Sequence, residues 1–134
     1  MAVAPLNKVR EVVDYAVSRI SPSKIDLGIP NYGYDWTLPY IKGASKATVI
    51  GSLEAVRTAI EAGVPIQFDE TAMSPFFQYE KDGVSHEVWF EDVRSYRAKF
   101  ALLPEYGLRG MGYWQIMRFF RPNWLLLKDT FLIR

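Results

Sequence analysis

Lys24-Ile-Asp-Leu-Gly-Ile-Pro-Asn-Tyr-Gly-Tyr-Asp-Trp36 is the stretch on which the reading of this chain turns. Its first part, Lys24 to Ile29, is a short apolar run of strand length, closed by Pro30. Upstream, Leu6, Val9, Val12, Val13, Ala16, Val17 and Ile20 recur at steps of three and four. Lys8, Arg10, Glu11, Asp14 and Arg19 take the other side, which predicts an amphipathic helix. Pro5 suits its first turn, and Ser21–Pro22 ends it, because the residue before a proline is pushed out of the α region. Helix, tight break and buried strand make the αβ step of an α/β fold. The second part, Asn31 to Trp36, reads as the start of a polar loop reaching about Lys46. Two tyrosines and a tryptophan lie directly beyond the strand's C-terminal end, where parallel α/β folds place their ligand sites.

Working downstream, Gly51–Ser52 opens a helix with Leu53, Val56, Ala59 and Ile60 as its stripe and Gly63 as its stop. From Pro65 the pattern turns to β. Ile66 to Asp69 is a short strand, and Phe76–Glu80 and Val84–Phe90 flank the hairpin signal Asp82–Gly83. Trp89 and Phe90 are adjacent, so they point to opposite faces. Glu91–Asp92 begins a helix with Val93, Tyr96, Phe100 and Leu103 inward, Pro104 awkward in its last turn and Gly107 as its cap. Leu108 to Ile116 is a second buried strand, and Pro122 opens a final helix through Trp124, Leu125, Leu127, Lys128 and Phe131. Two strands of buried-parallel type look like pieces of a larger sheet, since two alone do not make an open α/β domain.

Composition narrows the function. The chain's 134 residues suit about one domain, and 49% hydrophobic with 23% charged residues excludes disorder. A net charge of +1 gives no support to nucleic-acid binding. Without cysteine there is no disulfide, thiolate metal site or thiol nucleophile, and one histidine, His86, excludes a multi-histidine metal site. No apolar run reaches the ~18 residues of a membrane span. Four Trp, eight Tyr and eight Phe suit a large core, a sugar-stacking cleft, or both.

Four blocks carry a resemblance. Gly28-Ile-Pro-Asn-Tyr-Gly33 resembles the Gly-x-Pro-x-Tyr-Gly segment on the seventh strand of family 18 glycoside hydrolases, the chitinase-like barrels. Phe68-Asp-Glu70 with Ser74-Pro-Phe76 is similar to pieces of that family's α+β insertion. Val88-Trp-Phe-Glu-Asp92, ahead of Ser95 and Lys99, resembles its Trp-Val-x-Tyr-Asp-Asp block. Gly107-Leu-Arg-Gly-Met-Gly-Tyr-Trp114 is similar to the run onto the eighth strand. Within the family, Pro-Asn-Tyr-Gly-Tyr-Asp-Trp and His-Glu-Val-Trp-Phe-Glu-Asp resemble the spore-cortex-lytic N-acetylglucosaminidase branch. The resemblance covers nearly the whole chain, with its blocks in the family's order.

The resemblance implies the C-terminal part of a (β/α)8 TIM barrel: strands seven and eight with flanking helices, carrying an α+β insertion with a β-hairpin. Residues 1–46 and 107–134 are then barrel elements and 47–106 the insertion. A complete barrel takes ~250 residues. The family's chemistry is retaining, substrate-assisted cleavage of β-1,4 bonds beside N-acetylglucosamine, in which the acetamido oxygen attacks the anomeric carbon and a glutamic acid protonates the leaving oxygen. That acid belongs to an Asp-x-x-Asp-x-Asp-x-Glu motif on the fourth strand, and the motif does not occur here. No catalytic residue is therefore assigned in this chain, which is expected to be inactive alone, and no metal or organic cofactor is implied.

Six residues are candidates for substrate contact. Trp114 matches the family's tryptophan beneath the sugar at the cleavage site, against an ordinary core role. Tyr32 matches its cleft tyrosine, against barrel packing, and Tyr34 stands where many chitinases carry an arginine. Trp36 either widens the cleft wall or packs its own loop, and Asp69 and Glu70 either bond sugar hydroxyls or stand solvated. His86 reads as structural or solvent-facing. The partners implied are an aminosugar glycan and either the missing N-terminal barrel half or a second copy held through apolar surface such as Leu125–Leu127. A place in the spore cortex or cell envelope rests on kinship alone. The alternative is a non-catalytic carbohydrate-binding or structural module.

Overall fold

The computed structural model describes residues 1–132. Along the chain run α1 (Leu6–Val17), a short 3₁₀ turn (Pro22–Lys24), β1 (Asp26–Pro30), β2 (Gly33–Thr37), β3 (Ala47–Ile50), α2 (Ser52–Ala62), β4 (Gln67–Asp69), β5 (Ser74–Lys81), β6 (Val84–Trp89), α3 (Val93–Phe100), α4 (Leu102–Tyr106), β7 (Gly110–Trp114) and α5 (Arg121–Thr130). The strands form two sheets: the pair β1–β7, and five strands in the order β3-β2-β6-β5-β4.

The pair is parallel, with Asp26 opposite Gly110 and Pro30 opposite Trp114. Alternation along β1 turns Leu27 and Ile29 into the core and Asp26 and Gly28 outward. Leu27 and Ile29 pack there with Leu6 and Val13 of α1, Tyr96 and Phe100 of α3, Leu102 and Leu103 of α4, and Leu127 of α5. Each of the two strands has one neighbour among the described residues, so both outer edges are unpaired. The two strands expected from the sequence are thus parallel and adjacent, but the second is trimmed to Gly110–Trp114. With no strand on its outer side among the described residues, it is half-buried to exposed rather than buried.

The larger sheet is antiparallel throughout. Its β5–β6 hairpin turns on Asp82 and Gly83, both with positive φ (53° and 74°), the geometry of the two-residue turn that Asp–Gly favours. One face is covered by α2 and buries Ile50, Phe77, Val88 and Phe90 against Ala55 and Ala59. Gly33 lies where β2 meets the end of β6: a Cβ there would stand 2.3 Å from the Trp89 carbonyl oxygen, so no larger residue fits without backbone movement.

The structure corrects four sequence expectations. The loop expected over 31–46 contains β2, which pairs with β3 and β6 and draws the antiparallel sheet back upstream of residue 47. In α2 the large residues Leu53 and Ile60 are exposed, and the buried face is Ser52, Ala55 and Ala59. Small side chains let the helix axis sit close to the sheet, an advantage that bulk-weighted periodicity misses. The helix expected from 91 to 107 is two helices, broken at Ala101. Pro104 has no N–H to give the Phe100 carbonyl, and Val93 lies at the surface. In α1, Val12 is 67% exposed, so the stripe is wider than the surface that covers it.

α3 ties the two parts together. Asp92 caps its first turn by accepting from the backbone N–H groups of Arg94 (2.8 Å) and Ser95 (3.1 Å), while Ser95 Oγ accepts the Asp92 N–H. Lys99 reaches back to Glu91, immediately beyond β6, at 2.8 Å, and both side chains are 1% exposed. Burial pushes the Glu91 carboxyl up, and the Lys99 ammonium acts against that push.

Candidate functional site

Alternation in and before β2 places Tyr32, Tyr34 and Trp36 on the face of the sheet opposite α2. Their rings meet edge to face in a row: Tyr32–Tyr34 at 5.8 Å, Tyr34–Trp36 at 5.6 Å and Trp36–Tyr40 at 5.4 Å between centroids. Edge-to-face contact sets the positive rim of one ring against the negative face of the next. Cross-strand register widens this surface, because Tyr34 stands opposite Trp89 and Trp89 opposite Phe76. Trp89 stacks on Phe76 at 4.6 Å with 15° between planes.

One carboxylate is built into this aromatic face. Glu87 accepts from the Trp89 indole N–H at 2.6 Å and from the Gln78 amide at 2.9 Å. Partial burial works against its charge, but these donors and the Met1 ammonium 3.6 Å away outweigh it and hold the carboxyl below the usual range. Tyr32 is pushed the other way, its phenol raised by burial and by Tyr34.

Trp114 closes β7 and is 71% exposed. It stands opposite Pro30, and the Asn31 N–H donates to its carbonyl at 3.2 Å. Tyr32 and Trp114 therefore leave the same, C-terminal end of the parallel pair. Asn31, which sequence reasoning passed over, is buried and holds the segment after Trp114 in place. Its Oδ1 accepts the Gln115 N–H at 2.6 Å, and its Nδ2 donates to the carbonyls of Gln115 and, at 3.4 Å, Arg118. An amide is the side chain that answers a donor and an acceptor together. Its position inside the Pro-Asn-Tyr-Gly motif was the available signal. The peptide bond after Trp114 is cis.

The remaining candidates lie apart from this surface. Asp69 ends β4, with β5 and β6 between it and β2, and its Oδ1 accepts the N–H groups of Thr71 (2.9 Å) and Ala72 (2.6 Å). It organises a turn, and Glu70 next to it is exposed. His86 lies on the face toward α2, its Nδ1 2.9 Å from Asp35 Oδ1, while the Tyr79 hydroxyl donates to Asp35 Oδ2 at 2.7 Å. This trio stitches β2, β6 and β5 together behind the aromatic row. Nearer the parallel pair, the buried hydroxyls of Ser52 and Tyr96 face each other.

A half-exposed aromatic face and an exposed tryptophan at the C-terminal end of parallel strands suit the stacking of a flat ligand. Comparison with known proteins gives the class: the sequence pattern of the glycosyl hydrolases family 18 matches residues 2–118, and the chain belongs to that family. It is 46% identical over 131 residues to the cortical fragment-lytic enzyme of Bacillus subtilis (strain 168), covering 97% of this chain and 30% of that protein. It is 40% identical over 133 residues to the putative sporulation-specific glycosylase YdhD of the same organism, covering 98% of this chain and 31% of the relative. The crystal structure of the Bacillus megaterium QM B1551 spore cortex-lytic enzyme SleL superimposes with a TM-score of 0.95 at 50% identity, over 100% of this chain and 32% of that one. The chain thus spans about a third of the length of the relatives it matches.

Proposed function

We propose that this chain is the C-terminal portion of a family 18 glycosidase acting on N-acetylglucosamine-containing glycan of the spore-cortex or chitin type. In this reading β1 and β7 are the seventh and eighth strands of a (β/α)8 barrel, the flanking residues 1–46 and 107–134 complete that part of it, and the segment from about 47 to 106, joined by β2, is the α+β insertion. The free edges of β1 and β7 support it, since a closed barrel gives every strand two neighbours. The missing barrel strands are the partner that fits those edges. The exposed Val12 of α1 and Leu125 of α5 meet that partner or, in its absence, a second copy; Leu127 is not available for this, because it is buried in the core with Leu126 packed against it.

The observation that carries the reading is that the exposed Trp114 and the start of the Tyr32–Tyr34–Trp36 row leave the same, C-terminal end of the β1–β7 pair. An indole is large, flat and rigid, and it suits the apolar face of a pyranose. Trp114 forms the floor beneath the sugar, Tyr32, Tyr34 and Trp36 form the wall, and the exposed Glu70, presented by the turn that Asp69 organises, bonds hydroxyls farther along. The proton donor of the substrate-assisted reaction is supplied by the preceding barrel segment, so this chain binds glycan and does not cleave it.

Two measurements test this. Titration with N-acetylglucosamine oligomers is expected to show binding that weakens about fivefold, or ~1 kcal/mol, in Trp114→Ala; unchanged affinity rejects the floor role. Incubation of the chain with aminosugar polymer is expected to release no reducing ends, and release of product rejects the division of labour. The absence of the Asp-x-x-Asp-x-Asp-x-Glu motif favours a second reading, a free-standing carbohydrate-binding module. Restoration of hydrolysis by adding the preceding segment of a full-length relative counts against it.

A further inference from the structure

Trp114 stands open to solvent, and in the turn after it Ile116 is 72% and Met117 82% exposed. Apolar side chains this open gain by folding down onto the nearest apolar surface, so a segment that keeps them in solvent has to be held by its backbone. Among the described residues every hydrogen bond of the turn 115–118 goes to Asn31. The peptide joining Trp114 to Gln115 has both of its polar groups taken up by that one residue. The Asn31 N–H donates to the Trp114 carbonyl at 3.2 Å, and Asn31 Oδ1 accepts the Gln115 N–H at 2.6 Å. With donor and acceptor both engaged the peptide plane is pinned, and the direction in which the Trp114 side chain leaves the backbone is pinned with it. Asn31 Nδ2 then spans the turn, donating to the Gln115 carbonyl at one end and to the Arg118 carbonyl, at 3.4 Å, at the other. Asn31 itself is 2% exposed, too deep to meet a ligand, and its neighbour Tyr32 opens the aromatic row.

We propose that Asn31 is the positioning residue of the sugar floor: by clamping the peptide after Trp114 it holds the indole out in solvent, in fixed relation to Tyr32. Glycan affinity then depends on a side chain that the glycan never touches. The inference rests on the glycan reading above and goes beyond it by assigning what prepares the floor. A flat ligand gains from an indole already presented in its bound orientation, because less freedom is lost on stacking. Only an amide serves all the contacts at once. A carboxylate at this position would set a second acceptor against the two carbonyls, and an aliphatic side chain would offer the turn nothing.

Fluorine NMR of the intact chain, with fluorotryptophan at Trp36, Trp89, Trp114 and Trp124, tests the clamp without any ligand. The Trp114 line is identified by its loss in Trp114→Ala. In Asn31→Ala, and in Asn31→Asp, which keeps the acceptor and lacks the donors, that line is expected to shift or broaden while those of Trp36 and Trp89 stay in place. A Trp114 line indifferent to both substitutions overturns the inference. So does movement of all four lines together, which marks a general structural role. A binding cycle with the N-acetylglucosamine tetramer reads the consequence. Asn31→Ala is expected to weaken binding about fivefold, as Trp114→Ala does, and to weaken it no further once Trp114→Ala is present. Unchanged affinity in Asn31→Ala, or an equal further loss in the Trp114→Ala background, overturns the inference and leaves the glycan reading standing. Failure of the unaltered chain to bind the tetramer overturns both.

Discussion

The β1–β7 pair joins Asp26 to Gly110 across the whole intervening sheet, and its outer edges meet no other described strand. The antiparallel sheet gains its longest ladder from a hairpin closed by two residues, and α2 covers one of its faces. The larger sheet gains four ladders among strands of residues 33–89, whereas the parallel pair spends a long loop closure on a single ladder. The difference shows in what each leaves exposed. The larger sheet presents an ordered aromatic row held by cross-strand partners, and the parallel side presents Val12, Ile116 and Met117 with little against them.

The largest effect is expected at the bolt between the two parts. Lys99→Met leaves the Glu91 carboxylate buried and unpaired and is expected to cost about 4 kcal/mol in urea denaturation, with most of it regained when Glu91→Leu is added. Near-wild-type stability of the single variant would mean that α3 does not bind the two sheets into one unit. Next, Phe77→Ala in the larger sheet is expected to cost about 3 kcal/mol, whereas Val12→Ala on the open side stays within about 0.5 kcal/mol by the same measurement. Similar losses would erase the contrast between the sides.

A smaller loss, about 1 kcal/mol, is expected for Asp92→Ala, which removes the acceptor at the start of α3. The smallest effect concerns acid. Glu87 titrates lower in the folded chain than its ordinary 4.5, so its contribution is fully present above that value and fades as pH falls through the lower folded one. Tryptophan fluorescence is therefore expected to change at a midpoint below 4.5 as the Trp89–Glu87 bond is lost, and Glu87→Gln is expected to flatten that change. A midpoint above 4.5 would show that burial outweighs the two donors and the Met1 ammonium together.

How far the sequence told this in advance depended on whether the deciding contacts were local. The helix before β1, the Asp–Gly hairpin, and Gly63 and Gly107 as helix stops all follow from neighbouring residues. β2 did not, because Tyr32, Tyr34 and Trp36 alternate as a strand should, but its partner β6 lies some fifty positions away and the preceding Pro30 argued for a loop. The stripe of α2 misled for a related reason: periodicity weighted by bulk chose Leu53 and Ile60, and the sheet accepts only alanine and serine at close approach. Of the residues the family motifs singled out, Tyr32, Tyr34 and Trp36 form one aromatic row, and Trp114 leaves the same end of the parallel pair as Tyr32. The motifs gave no sign that Asp69 is spent on a turn, or that Asn31 and Arg118 shape the ground beside Trp114.

The burial of Lys99 has a practical corollary. Every other lysine of the chain is exposed. An amine-reactive reagent should modify those six within its ordinary reaction time and reach the seventh only when α3 swings away from the body of the molecule. The delay before that last adduct appears in a mass spectrum would serve as a clock for how often the two sheets part company.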